Sequence, residues 1–341
     1  MLLNPFSIIL LLVASMSTAL VLYGSVLSLK VRGGWARCGA VPMQHNGLQS
    51  RIHFVLFVAS TVLVLRLLSY PLFYATLQSF VEDVEGAMCI YGVTQLSPKL
   101  FMFMEITKPV VFFLVGQWLI LHYLTRQNRT QSMVNRKIVL LLGVNLLVLL
   151  DSVGGLILFL GIDFHIPVTC CTINTDSPYR VSAIFSRYLL GHRYQQFLLP
   201  AYYLSNLFIL GLVGYFFRRK KLEAKETRRT RSVGVVFFLS LINLILGSLA
   251  VAEVIGPRLM DLPYHHCLYC LLQYVPDSSL IVGLLMLGTF GFGWAFGLEM
   301  MVGISGTVKN LSRYVQNLYG FSFLCLTLSV VMVSLHLLLA V

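Results

Sequence analysis

The chain alternates between long apolar stretches and short polar segments. Eight stretches are almost free of charge, and they cover residues 5–29, 52–80, 100–125, 138–161, 197–217, 232–256, 278–303 and 317–340. A helix of about 20 apolar residues crosses the hydrocarbon layer of a bilayer, and it satisfies its own backbone polar groups there. The pattern therefore predicts an all-α integral membrane protein, a polytopic bundle of eight transmembrane helices.

The polar segments between these stretches are short. We therefore expect a single transmembrane domain over residues 1–341 and no soluble domain. The composition agrees, because 57% of the residues are hydrophobic and only 11% are charged, whereas soluble domains carry about 25% charged residues. The absence of a soluble catalytic module excludes most enzyme classes, and the sequence leaves open whether the protein is an enzyme.

The formal net charge of +12 is unevenly distributed. Segments that follow the odd-numbered stretches hold 18 Lys and Arg residues, and segments that follow the even-numbered ones hold 5. Short loops rich in Lys and Arg stay in the cytoplasm, so both termini are predicted to be extracytoplasmic. The basic residues then contact the headgroups of the lipid bilayer, and we expect no nucleic-acid partner. We expect an integral protein of a bacterial inner membrane.

Five of the seven cysteines fall in the three segments predicted to be extracytoplasmic. They are Cys89, the adjacent pair Cys170 and Cys171, and the C-x-x-C pair Cys267 and Cys270, which follows His265 and His266. The C-x-x-C spacing lets two sulfurs form a disulfide or share a metal ion. Neighbouring Cα atoms lie about 3.8 Å apart, below the usual disulfide range of about 4.4–6.8 Å. Cys170 and Cys171 therefore have different partners or hold a soft ion together.

Three interpretations of these cysteines remain open, and we rank a thiol-redox protein first. In that interpretation Cys267 and Cys270 exchange disulfides, Cys170, Cys171 and Cys89 relay, and protonated histidines favour the thiolates. The alternative is a carrier of copper, zinc or a similar ion, with ligands from His265, His266, Cys267, Cys270, Cys170 and Cys171. The third is a structural subunit in which disulfides staple the loops. An extracytoplasmic thiol protein or metal-carrying protein is the expected partner.

The C-x-x-C outside a membrane helix, with a cysteine pair in another outer loop, resembles the disulfide-generating quinone reductases and the vitamin K epoxide reductase-like family. That resemblance implies electron transfer from extracytoplasmic thiols through Cys267 and Cys270 to a quinone. Those families have a core of four or five helices, against the eight predicted for this chain. The adjacent pair also resembles the paired cysteines of mercury-uptake membrane proteins, which implies a soft metal ion as the ligand.

Ionisable residues occur inside several of the apolar stretches, and four of them lie at overlapping depths: Arg66, Glu105, Lys108 and Asp151. Charged groups inside a bilayer are costly and commonly serve a function. We expect Glu105 and Lys108 to share a helix face, and Arg66 to pair with Asp151 if their helices touch. The cluster is predicted to act as structural contacts between helices, as a relay, or as the binding site of a quinone headgroup. Gly293 and Gly297 have the spacing of a close helix contact.

Overall fold

The computed structural model describes residues 4–38, 46–125, 131–169, 171–218, 226–302 and 311–339. In these ranges the chain is helical and contains no strand. Eight helices are long and apolar enough to cross a membrane: Pro5–Lys30, Ile52–Ser79, Pro98–Leu124, Val134–Gly161, Tyr194–Arg218, Thr230–Leu259, Ser278–Val302 and Leu311–Leu339. Their bounds differ from the predicted stretches by only a few residues. The prediction of an all-α polytopic membrane protein is confirmed.

The helices belong to two compact units, residues 1–168 and residues 169–341. The first unit contains α1 (Pro5–Cys38), α2 (Asn46–Ser79), α3 (Ile90–Thr94), α4 (Pro98–Leu124) and α5 (Gln131–Gly161). The second contains α6 (Thr172–Thr175), α7 (Val181–Leu190), α8 (Tyr194–Arg218), α9 (Glu226–Ala250), α10 (Gly256–Leu259), α11 (Leu268–Tyr274), α12 (Ser278–Val302) and α13 (Leu311–Leu339). A π-helical turn, Val251–Ile255, joins α9 to α10. A single domain over residues 1–341 stays a prediction.

In the first unit, α1 packs against α2 and α5, and α4 packs against α2 and α5. Fully buried side chains such as Leu63, Trp118 and Leu141 form its core. The indole of Trp118 donates a hydrogen bond to the carbonyl oxygen of Lys137, at 3.1 Å, so its one polar group is satisfied within the apolar core.

The segment between α2 and α3 makes a close backbone contact with the end of the first unit. Val168 donates a backbone hydrogen bond to the carbonyl oxygen of Glu85, at 3.0 Å. Gly86 has a φ of +85°, and a Cβ at this position would lie 2.2 Å from the carbonyl oxygen of Val168. Only glycine permits both this backbone angle and this approach.

In the second unit, α12 packs against α13 and α9, and α8 packs against α9 and α13. The short helices α6 and α7 precede α8, and the π-helical turn, α10 and α11 lie between α9 and α12. Because α7 contacts both α8 and the π-helical turn, these short elements gather at one end of the long helices. The sequence pattern predicts none of these short helices. This end of the second unit contains Cys171, Cys267 and Cys270.

Candidate metal centre

Three cysteines of the second unit are held by short helices. Cys171 directly precedes α6, Cys267 directly precedes α11, and Cys270 lies in the first turn of α11. A backbone hydrogen bond from His265 to Leu262, at 3.0 Å, closes the turn before α11, and one from Leu271 to Cys267, at 3.1 Å, closes the first turn of α11. These bonds fix the C-x-x-C backbone without using its side chains.

The sulfur atoms of Cys171, Cys267 and Cys270 converge. All three lie within 4.8 Å of one another, and those of Cys171 and Cys270 are 3.6 Å apart. A disulfide bond has a length of about 2.05 Å, so this separation corresponds to two sulfurs in contact without a covalent bond. The exposed fractions of the three residues are 3%, 2% and 6%. The second unit thus buries a cluster of soft ligand atoms.

His265 adds a nitrogen atom beside this cluster. Its Nε2 lies 3.8 Å from the sulfur of Cys171, and its Nδ1 lies 2.9 and 3.1 Å from the two carboxylate oxygens of Asp176. Because a carboxylate only accepts hydrogen bonds, we assign the hydrogen to Nδ1. The neutral ring then keeps a lone pair on Nε2, on the side of Cys171.

Asp176 is itself held in place by its neighbours. The hydroxyl of Thr175 donates to Oδ1 of Asp176 at 3.0 Å, and the backbone N–H of His266 donates to the same oxygen at 3.3 Å. A carboxylate that orients a histidine in this way is the usual outer partner of a metal-binding imidazole.

His266 faces a different set of groups. Its Nδ1 is 2.9 Å from the carbonyl oxygen of Tyr264, and its Nε2 is 4.0 Å from a carboxylate oxygen of Glu253. Burial, and then the positive charge of Arg180, lower the pKa of His266 below its usual value. Of the two histidines predicted as ligands, His265 is the one that lies beside a sulfur of the cluster, that of Cys171.

Glu253 lies on the π-helical turn with a side chain that is 0% exposed. Both of its oxygens accept from the guanidinium of Arg180, at 2.9 and 2.5 Å. The hydroxyl of Tyr194 donates to Oε2 at 3.0 Å. This network ties the segment before α7 to the end of α9, and π-helical turns often occur at functional sites.

The other two predicted thiols are Cys89 and Cys170. Cys89 belongs to the first unit, where it is 1% exposed and directly precedes α3. Cys170 lies outside the described residues. The proposed roles of these two cysteines as relay thiols, and of Cys170 as a ligand, stay predictions.

The ionisable residues of the first unit form a cluster of their own. Arg66 donates to one carboxylate oxygen of Asp151 at 2.5 Å, and Lys108 donates to the other at 3.2 Å. The expected contact between Arg66 and Asp151 is therefore present. Glu105, on the helix of Lys108, lies close enough to Tyr74 to interact with it electrostatically. Its expected pairing with Lys108, and the predicted quinone site, stay predictions.

Sequence reasoning missed Asp176, Arg180 and Glu253. Glu253 could have been identified from the sequence, because an acidic residue inside the apolar stretch 232–256 is unusual in itself. Asp176 and Arg180 lie in a polar segment with no motif around them. Only the folded chain reveals that Asp176 contacts His265 and that Arg180 binds Glu253.

The chain was compared with protein-family models, with curated proteins and with solved structures, and none of the three comparisons finds a match. The functional conclusion therefore depends on the residues and distances of the site alone. That conclusion starts from three buried sulfurs and an imidazole nitrogen that lies beside one of them.

Proposed function

We propose that this protein binds and retains a zinc-type metal ion through Cys171, Cys267, Cys270 and His265. The observation that supports this proposal most strongly is the convergence of three buried sulfurs beside an imidazole that Asp176 orients. Zn²⁺ takes four cysteine and histidine ligands at about 2.3 Å for sulfur and about 2.0 Å for nitrogen, so tetrahedral ligand atoms lie roughly 3.5–3.8 Å apart. The separations of 3.6 Å between two sulfurs and 3.8 Å between sulfur and Nε2 agree with this arrangement.

Burial favours retention of an ion over its rapid transfer. A closed set of four protein ligands is typical of sites that hold zinc for stability, whereas catalytic sites keep one position open for water. The sulfurs lie in residues that are at most 6% exposed. The ion would replace the protons of the three thiols, and it would join α6 to α11 at one end of the second unit.

The second candidate function is thiol–disulfide exchange, and the separation of at most 4.8 Å between the sulfurs of Cys267 and Cys270 favours it. In that reaction the thiols of Cys267 and Cys270 reduce the disulfide of an external protein. A sulfur–sulfur bond forms between them, the external bond breaks, and the external sulfurs leave as two thiols with both protons. Burial of all three cysteines hinders the approach of such a partner, and we therefore rank this function second.

The charge distribution supports an extracytoplasmic position for the site. The segments that contain Cys171, Cys267 and Cys270 belong to the set that holds only 5 of the Lys and Arg residues, and such segments favour translocation. We propose that the ion reaches the site from an extracytoplasmic metal-carrying protein, and that the membrane is a bacterial inner membrane.

Elemental analysis of the purified protein tests the proposal. We expect about one zinc-type ion per chain in the wild type, as for a single four-ligand site, and a loss of most of that metal in Cys270→Ser. Cys325→Ser is the matched control, because Cys325 is a buried cysteine of the same unit on α13. Metal content that is equally low in the wild type and in Cys270→Ser would overturn the proposal. A disulfide between Cys267 and Cys270 that responds to redox buffer would then support exchange.

A further inference from the structure

The first unit buries two cations against one carboxylate. Arg66 and Lys108 both bind Asp151, and the three side chains are 4%, 5% and 4% exposed. The ammonium of Lys108 also lies 4.0 Å from the ring centroid of Phe73, a contact that favours a charged amine. All three residues lie inside predicted membrane spans.

This arrangement carries a surplus of one positive charge. A buried charge is tolerated when a partner of opposite sign compensates it, and the requirement is stronger inside a bilayer because the hydrocarbon layer contains no bulk water. Asp151 compensates one of the two cations. The geometry therefore calls for a second negative charge close to Arg66 and Lys108.

A small cavity adjoins the cluster and offers room for that charge. Its volume is about 10 Å³, which suits a single occupant of about the size of one water molecule. The lining includes Arg66, Lys108 and Asp151 together with Ser69 and Tyr70. Nε of Arg66 is buried and has no hydrogen-bond partner among the described residues, so the guanidinium retains an unused donor at a cavity that it lines.

We propose that this cavity binds a small inorganic monovalent anion such as chloride. The anion would accept hydrogen bonds from the guanidinium of Arg66 and the ammonium of Lys108, and it would neutralise the surplus charge. Ser69 and Tyr70 are the uncharged polar residues of the lining. The proposal is independent of the metal centre, since the two sites belong to different units.

Two further side chains of this unit, Glu105 and Tyr74, do not line the cavity. Glu105 and Tyr74 interact with each other electrostatically, and neither is part of the lining. Glu105→Gln therefore serves as a control, because it removes a charge from α4 without changing the lining of the cavity. Lys137→Gln is a second control, because Lys137 is also a buried lysine of this unit but donates to the carbonyl oxygen of Thr125, at 3.0 Å.

Thermal unfolding in neutral detergent, with chloride exchanged for gluconate at constant ionic strength, tests the proposal. We expect chloride to raise the Tm of the wild type in a saturable manner, since a ligand that binds only the folded state stabilises it. Lys108→Gln leaves one cation and one carboxylate, and we expect it to abolish the chloride effect. Asp151→Asn leaves two cations, and we expect it to lower the apparent Kd for chloride by about tenfold.

Lys108→Gln and Asp151→Asn have opposite expected effects on chloride binding, so together they separate anion binding from a general effect of salt. Equal chloride effects in the wild type, Lys108→Gln and Lys137→Gln would overturn the proposal, as would a wild-type Tm that does not depend on chloride. If Asp151→Asn does not fold, Lys108→Gln still decides between the two outcomes. Stabilisation by phosphatidylglycerol, without any effect of chloride, would show that a lipid headgroup supplies the charge and would also overturn it.

Discussion

At the scale of single residues, the most informative contact is the one between His265 and Asp176. Its distances of 2.9 and 3.1 Å align the imidazole so that Nε2 lies beside the sulfur of Cys171. A second Asp–His pair, Asp277 with His336, lies elsewhere in the same unit. The pair of Asp277 and His336 therefore serves as a control for the pair of Asp176 and His265.

Asp176→Asn is predicted to weaken metal binding while the protein remains folded. Outer carboxylate partners of metal-binding histidines contribute about 10- to 100-fold to metal affinity, because they fix the ring and strengthen its nitrogen as a donor. Competition with a chromophoric chelator measures this loss. The matched variant Asp277→Asn is expected to keep the wild-type affinity for the metal. Equal metal affinities in all three proteins would show that Asp176 does not contribute to the site.

The sequence predicted Cys171, Cys267, Cys270 and His265 as candidates because cysteine and histidine are rare and chemically distinctive. It could not choose between His265 and His266, since adjacent residues differ only in the direction that the backbone gives their side chains. The turn before α11 makes that choice. Asp176 was missed for a related reason, because the contact joins positions 89 residues apart and no local pattern encodes it.

At the scale of elements, α12 and α13 make a close helix–helix contact through small residues. A Cβ on Gly288 would lie 2.8 Å from Cγ and 2.9 Å from Cδ2 of Leu326, and Leu326 is fully buried. A Cβ on Gly283, in the same helix, would meet no atom within 4 Å. One helix therefore offers a tight position and an open position for the same substitution.

Gly288→Ala is predicted to destabilise the protein by about 1–3 kcal/mol, the usual cost of overpacking a well-packed contact. Gly283→Ala is expected to be neutral or slightly stabilising, because alanine favours the helix and has free space. Unfolding in mixed micelles with increasing denaturing detergent compares the two variants. Equal stabilities would contradict the close packing of α12 on α13.

Long apolar helices were predictable because length and hydropathy determine them almost locally. The small-residue spacing at Gly293 and Gly297 predicted that this helix packs closely. In the same helix, Gly288 lies against Leu326 of α13 and Gly291 lies against Ser322 of α13. The short helices α6, α7 and α11 were not predicted. Helices of 4, 10 and 7 residues are too short to be stable alone, so tertiary contacts determine them.

At the scale of the whole molecule, the distribution of Lys and Arg predicts the orientation of all eight spans. Helices alone cross a bilayer equally well in either direction, and the contrast between 18 and 5 basic residues breaks that equivalence. We therefore predict that an alkaline phosphatase fused after Val341 is active and that a green fluorescent protein fused there is dark. The reverse result would place both termini, and the cysteine-containing segments, in the cytoplasm.

In the proposed metal site, three sulfurs and one imidazole of the second unit bind a single ion. X-ray absorption at the K edge of the metal that copurifies with the protein tests this claim most directly. We expect about three sulfur neighbours at about 2.3 Å and one nitrogen neighbour at about 2.0 Å, with sulfur lost in Cys270→Ser and kept in Cys325→Ser. Protein without metal, or a metal surrounded only by oxygen and nitrogen, would contradict it.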